Sequence, residues 1–334
     1  MPILRAFKRA DDSRAINSLT TVTGMTRLLF LTIGPFAIMT VAYWVAAPSS
    51  SAAVVTPDSA AARKSFHTHD RSIPKDLSAR CQASAARLRQ VLPADFQIVI
   101  RAPFLIAGDL PESTLQKVHS DVIGPVARAL RETYFETSPK LPITIVICST
   151  EDLFRQLAKD WDGHLEAGYH GYYQRDKRRI LLDLEAGNGS LAHELTHALS
   201  HADCEELPEW FDEGLGALHE EAAYTAKGQR LFGLPNWRCK LTKQAANSGQ
   251  LPTLDALTDP ATFRSGDVGL NYAVARSMCL YLQDRQVLQK YYQELKTRWP
   301  SDQHGVSTLC RVLGVKSASQ VERQFAAWVK RRSP

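Results

Sequence analysis

The chain has 334 residues, 44% of them hydrophobic and 22% charged, with a formal net charge of +5. That charge is modest for the length and sits partly on Arg323, Lys330, Arg331 and Arg332; no nucleic-acid motif accompanies it, so a nucleic-acid partner is excluded from the reading. No internal repeat, phosphate-binding loop or nucleophile elbow is present, and residues 79–334 suffice for one large core or two lobes around a cleft.

Leu28 to Ala47 is an uncharged stretch of 20 residues, long enough to cross a bilayer as a helix. Arg5, Lys8, Arg9, Arg14 and Arg27 precede it, and the next charge after it is Asp58. The positive-inside rule therefore assigns residues 1–27 to the cytoplasm and 28–47 to a membrane anchor, with the rest of the chain on the far side. Val45-Ala46-Ala47 offers a cleavage site, so a signal peptide is the alternative. Either way, residues 48–334 are expected in the periplasm or outside the cell, as an anchored or a secreted protein. Residues 48–78, rich in Ala, Ser, Thr, Pro and charges, read as a flexible tether.

The next segment, 79–187, reads as a mixed α/β lobe. Cys81 to Leu92 is predicted helical, with short strands at Phe96 to Ile100 and Phe104 to Ala107. A long amphipathic helix is predicted from Pro111 to Phe135, then an apolar strand from Leu141 to Cys148 and a helix from Glu151 to Trp161. Gly168 to Gln174 and Arg179 to Leu184 read as a hairpin around a charged turn. If its outer strand is exposed, an extended peptide can pair with it.

Residues 188–334 read as a mainly helical lobe, and it opens on the most informative stretch. His193-Glu194-Leu195-Thr196-His197 is an H-E-x-x-H sequence, and Ser190 in the preceding loop reads as the helix N-cap. Residues i and i+4 of a helix share a face, so both imidazoles can reach one metal ion with Glu194 beside them. Zinc so held lowers the pKa of a bound water and keeps one position open. The third ligand has several candidates. His201 lies two turns from His193, too far along the axis to converge on the same ion. Asp203 lies at an offset used in metzincin-like enzymes, but Ser200 stands where the turn glycine is needed. His219 and Glu220 have no supporting pattern. Glu213 is the best candidate, on a second helix whose first turn takes Pro208 and whose buried face takes Trp210, Phe211, Leu215 and Leu218. Later helices are predicted over Leu254 to Leu257, Leu270 to Leu282, Val287 to Trp299, Gly305 to Leu313 and Ser319 to Lys330.

His193-Glu194-Leu195-Thr196-His197 followed by Pro208, Trp210-Phe211-Asp212-Glu213-Gly214-Leu215 resembles the gluzincin metallopeptidases, most nearly the bacterial peptidase MA-like proteins. The similarity extends more diffusely over most of residues 95–330. It implies an α+β, zincin-like fold with a metal cleft between the two lobes. It also implies His193, His197 and Glu213 as zinc ligands, Glu194 as general base, and a peptide or protein as substrate. The sequence departs from the family at Gly216, where alanine is common, at Asp212, where many aminopeptidases have asparagine, and at Ala217, where thermolysin-like enzymes carry the aspartate that supports a zinc histidine. The partners of the histidines are thereby left unassigned. Tyr272, by its place in a later helix, is the first candidate to stabilise the oxyanion, with His170, Tyr172 and His219 behind it.

The chain thus reads as a membrane-tethered or secreted zinc endopeptidase. A non-catalytic cell-envelope binding module on the same fold and a zinc amidase acting on cell-wall peptide are the alternatives. Six cysteines beyond the membrane segment permit up to three disulfides, with Cys204 and Cys239 the expected pair.

Overall fold

A computed structural model describes residues 76–163, 170–225 and 229–332. The predicted segments 1–27 and 28–47 and nearly all of the tether 48–78 lie outside these residues. Among the described residues no helix is long and apolar enough to cross a membrane.

The chain runs α1 (Leu77–Arg89), β1 (Gln97–Arg101), β2 (Phe104–Gly108), α2 (Glu112–Val118), α3 (Gly124–Thr133), β3 (Ile143–Cys148), α4 (Glu151–Asp162), β4 (Gly171–Gln174) and β5 (Arg179–Asp183). It continues with α5 (Gly187–Asp203), α6 (Glu209–His219), β6 (Ala222–Tyr224), β7 (Leu231–Gly233), α7 (Trp237–Ser248), α8 (Leu254–Thr258), α9 (Pro260–Phe263) and α10 (Val268–Asp284). The last helices are α11 (Leu288–Arg298), α12 (Val306–Leu313) and α13 (Ala318–Arg331).

A five-stranded mixed sheet of order β1-β2-β3-β5-β4 holds the first half together. Its centre is β3, a strongly apolar strand in which Ile143, Ile145, Val146, Ile147 and Cys148 are buried. A strand covered on both faces needs no polar alternation. β2, β3 and β5 are parallel, and the outer strands β1 and β4 are antiparallel to their neighbours. Side chains divide by face. Val146, Cys148 and Leu181 pack with Phe154, Leu157 and Ala158 of α4, whereas Ile145, Ile147, Ile180 and Leu182 join Leu191, Leu195 and Leu199 of α5. Each fully buried side chain of this size contributes about 1.5–3 kcal/mol. α5 is therefore fixed against the parallel part of the sheet.

Several expectations shift. The tether ends earlier than expected, because Leu77 is fully buried beside Cys81 and Leu105. The single helix expected over Pro111 to Phe135 is two α-helices joined by a π turn at His119–Ile123. Pro125 has no N–H for the i to i−4 ladder, and the Gly124 N–H reaches back to the His119 carbonyl, so the chain widens by one residue. Ser190 is not an N-cap: α5 already begins at Gly187. Asp183 caps the preceding 3-10 turn (Leu184–Ala186) by accepting from the Ala186 N–H at 2.9 Å, and Gly187 at φ 69° swings the chain into the helix. Glu194 consequently lies in the second turn rather than the first. The ribbon β6–β7 and helices α7 and α9 were not anticipated from the sequence.

The second half is mainly helical. α6 packs against both α5 and α10. A Cβ at Gly214 would come within 2.7 Å of the Ala275 carbonyl oxygen, so the α6–α10 crossing requires glycine there. Trp210 and Phe211 on the same helix are buried against Tyr291. Arg276 of α10, fully buried, donates to the Ala217 and Leu234 carbonyls and so carries its charge on satisfied donors.

Candidate metal centre

The two helices α5 and α6 bring His193, His197 and Glu213 together, with one ligand atom from each inside a span of 4.8 Å. His193 Nε2 lies 3.6 Å and His197 Nε2 3.8 Å from Glu213 Oε2. Two ligand atoms about 2.1 Å from a tetrahedral zinc stand about 3.4 Å apart, so the three residues fit that ion. Their side chains are 13%, 9% and 14% exposed, which leaves a route in for a water or a substrate.

The outer nitrogens explain why the inner ones face each other. His193 Nδ1 is 2.9 Å from Glu220 Oε1, and Glu220 in turn accepts from Arg238 Nη1. His197 Nδ1 is 3.1 Å from Asp212 Oδ2, an ion-pair distance without hydrogen-bond alignment. Asp212 Oδ2 is shared with His201 Nε2 at 3.0 Å, and its Oδ1 accepts from Ser200 Oγ at 3.3 Å. The carboxylate on the outer nitrogen of His193 fixes the tautomer that presents its Nε2 inward, and Asp212 faces the outer nitrogen of His197 at ion-pair distance. Glu220 stands seven residues after Glu213, two turns along the same face, and that spacing is the signal by which it could have been found. It is a partner of a ligand and not a ligand itself.

Glu213 divides its oxygens. Oε2 faces the histidines, while Oε1 accepts from Arg264 Nη2 at 2.9 Å. Arg264, in the loop after α9, also donates to Glu209 Oε1 and to Tyr272 Oη. Tyr272 thus reaches the edge of the site through Arg264, its ring stacked on Phe263 at 5.2 Å. No sequence pattern marked Arg264.

Electrostatics follow from this layout. Burial opposes ionisation of Glu213, but the His193 hydrogen bond and the charges of His197 and Arg264 outweigh it and bring its pKa to about 2. Burial would lower the His193 pKa, yet its bonds to Glu213 and Glu220 raise it well above the usual value. Glu194 behaves differently. Burial raises its pKa, and the charges of the two histidines oppose that rise only in part. A half-buried carboxylate beside the ligands, with an elevated proton affinity, suits proton transfer.

No family model matches the chain, and no curated protein does.

The other sequence candidates fall elsewhere. Asp203 is fully engaged: Oδ1 accepts from the main-chain N–H of Glu136 at 3.0 Å and Thr137 at 2.6 Å, and Oδ2 from Tyr292 Oη at 2.9 Å and Lys296 Nζ at 3.0 Å. His219 is buried with Nε2 3.3 Å from Tyr134 Oη. Tyr172 donates to Asp162 and His170 pairs with Asp183, both away from the ligand trio. All six cysteines are free thiols. The expected Cys204–Cys239 bridge is absent: Cys204 Sγ donates to the Glu206 carbonyl at 3.0 Å, and Cys239 Sγ lies 3.7 Å from Arg276 Nη1.

Proposed function

We propose that the chain is a zinc-dependent peptide hydrolase of the gluzincin type, with its catalytic part outside the cytoplasm as an anchored or secreted domain. One observation carries the reading: two imidazole nitrogens and one carboxylate oxygen converge, with Glu194 beside them and, among the described residues, held by no hydrogen-bonding side chain. His193, His197 and Glu213 would hold zinc. The metal, when bound, would polarise the scissile carbonyl and lower the pKa of its water.

The protein's own groups do the rest. Glu194 takes a proton from the attacking water on its carboxylate and later delivers it to the leaving amine. Its raised proton affinity favours the first transfer. Tyr272, oriented by Arg264, is the candidate donor to the developing oxyanion. The outer strand β4 lies at the sheet edge, and Tyr173 on it packs 5.8 Å from His201 of the metal helix. A substrate segment added to that edge would run alongside α5, which supports an extended peptide as substrate and a zincin-like cleft.

The test compares wild type with Glu194→Gln in the full chain. Both should retain zinc at the His193 site, and the variant should cleave a peptide library at least about 100-fold more slowly. A wild type without zinc, or cleavage that survives the substitution, overturns the reading.

A further inference from the structure

The loops at the C-terminal ends of β3 and β5 bring a second set of metal-binding groups together. Glu151 opens α4 just after β3. His170 immediately precedes β4. Glu185 lies in the 3-10 turn between β5 and α5. One ligand atom from each falls within 4.8 Å of the other two. None of the three belongs to the site already described.

We propose that Glu151, His170 and Glu185 form a second divalent-cation site, which ties the start of the edge strand to the entrance of the metal helix and to α4.

Two observations beyond proximity support it. The first is the preparation of His170. Its Nδ1 lies 2.9 Å from Asp183 Oδ2, and Asp183 is fully buried. The Asp183 N–H also donates to the His170 carbonyl at 3.0 Å, so residue and ring are both held. With Nδ1 on a carboxylate, the Nε2 lone pair is the one left for a metal. This is how proteins orient a ligating histidine.

The second is charge. Glu151, Glu185 and Asp183 bring three negative charges. Among the described residues, the ion pairs of these groups are Arg155 on Glu151 and His170 on Asp183, and Glu185 has none. With His170 neutral, two negative charges stay uncompensated, which one divalent cation balances. An imidazole with two carboxylates suits zinc and its first-row neighbours rather than the all-oxygen set of calcium. Zinc is therefore the probe.

The site is independent of the peptidase reading. The experiment uses the full chain without a histidine tag, stripped of metal, dialysed against zinc in detergent and assayed by elemental analysis. Wild type should bind one zinc equivalent more than His170→Ala and one more than His193→Ala, and the double variant should lose both. Glu185 is exposed, so Glu185→Gln keeps the fold and should weaken the second zinc about tenfold or more. Melting of the zinc-loaded protein should fall in Glu185→Gln, with no such fall between the metal-free forms. Zinc lost with His193 but unchanged by His170→Ala and Glu185→Gln overturns the second site alone. Zinc lost with His170 but unchanged by His193→Ala overturns the first site and supports the second.

Discussion

Arg264 Nη2 donates to Glu213 Oε1 at 2.9 Å, and Oε2 of the same carboxylate faces both His193 and His197. A loop arginine thus sets which oxygen of a helix glutamate is available to a metal. Arg264→Ala should free Glu213 to rotate and weaken zinc binding about 10- to 100-fold in chelator competition. Arg264→Lys keeps the charge but loses the planar fork that spans Glu209, Glu213 and Tyr272, so it should recover only part of the loss. In the cobalt-substituted protein, the alanine variant should absorb more weakly in the visible, as both carboxylate oxygens reach the ion. Affinity and spectrum equal to wild type would show that Glu213 needs no such support.

Gly216 carries a second, separable effect. An ideal Cβ there would stand 3.0 Å from Cδ2 and from Nε2 of His193. The ring has little room to retreat, since Glu220 holds Nδ1 at 2.9 Å. Alanine also favours a helix over glycine by about 1 kcal/mol. Gly216→Ala should therefore melt at an equal or higher temperature without metal, yet bind zinc about tenfold more weakly. Glycine at this position then has a steric reason: this chain sets His193 against the α6 backbone. Unchanged zinc affinity in the variant would refute that account.

How much of the site was legible depends on sequence distance. His193, Glu194 and His197 declare themselves because helix geometry relates them locally. Glu213 required two helices to pack side by side, and the short link from Cys204 to Pro208 made that readable. Arg264 meets Glu213 across 51 positions, and no periodicity encodes such a contact. The strongly apolar β3 was visible from its composition, but β6 and β7, three residues each, are too short to carry a pattern. Ser190 misled because a good capping residue in a loop is a local signal, and the Asp183 cap with the Gly187 turn starts the helix earlier.

Asp203, the rejected alternative ligand, makes a contrasting case. Its side chain is fully buried and joins the end of α5 to the chain after α3 and to α11 through four donors. Removing the carboxylate takes the acceptor from Tyr292 Oη and two main-chain N–H groups and leaves Lys296 with Glu136 at 3.7 Å, a cost of about 3–5 kcal/mol. Asp203→Ala should lower stability in denaturant titrations by that order while the folded fraction keeps zinc at wild-type affinity. Glu213→Ala should instead lose zinc even in the fraction that remains folded. An Asp203 variant that folds but loses zinc would move the ligand assignment to Asp203.

His219 provides an acid-sensitive element apart from the ligands. It is 2% exposed, and burial, with the charges of Arg276 and His193, lowers its pKa to about 3 although the Leu215 carbonyl favours its proton. The unfolded chain takes up that proton near pH 6.5, the folded one only near 3. Above pH 6.5 neither form is protonated and the group is neutral in its effect; as the pH falls from 6.5 toward 3, the unfolded state gains relative to the folded one. Between pH 6.5 and 5 the loss comes to about 2 kcal/mol. His219→Gln keeps an acceptor for Tyr134 Oη without a titrating group. Unfolding of the metal-free proteins at about pH 7.5 and about pH 5 should show wild type losing about 2 kcal/mol more than the variant. Equal losses would place the acid sensitivity in other groups.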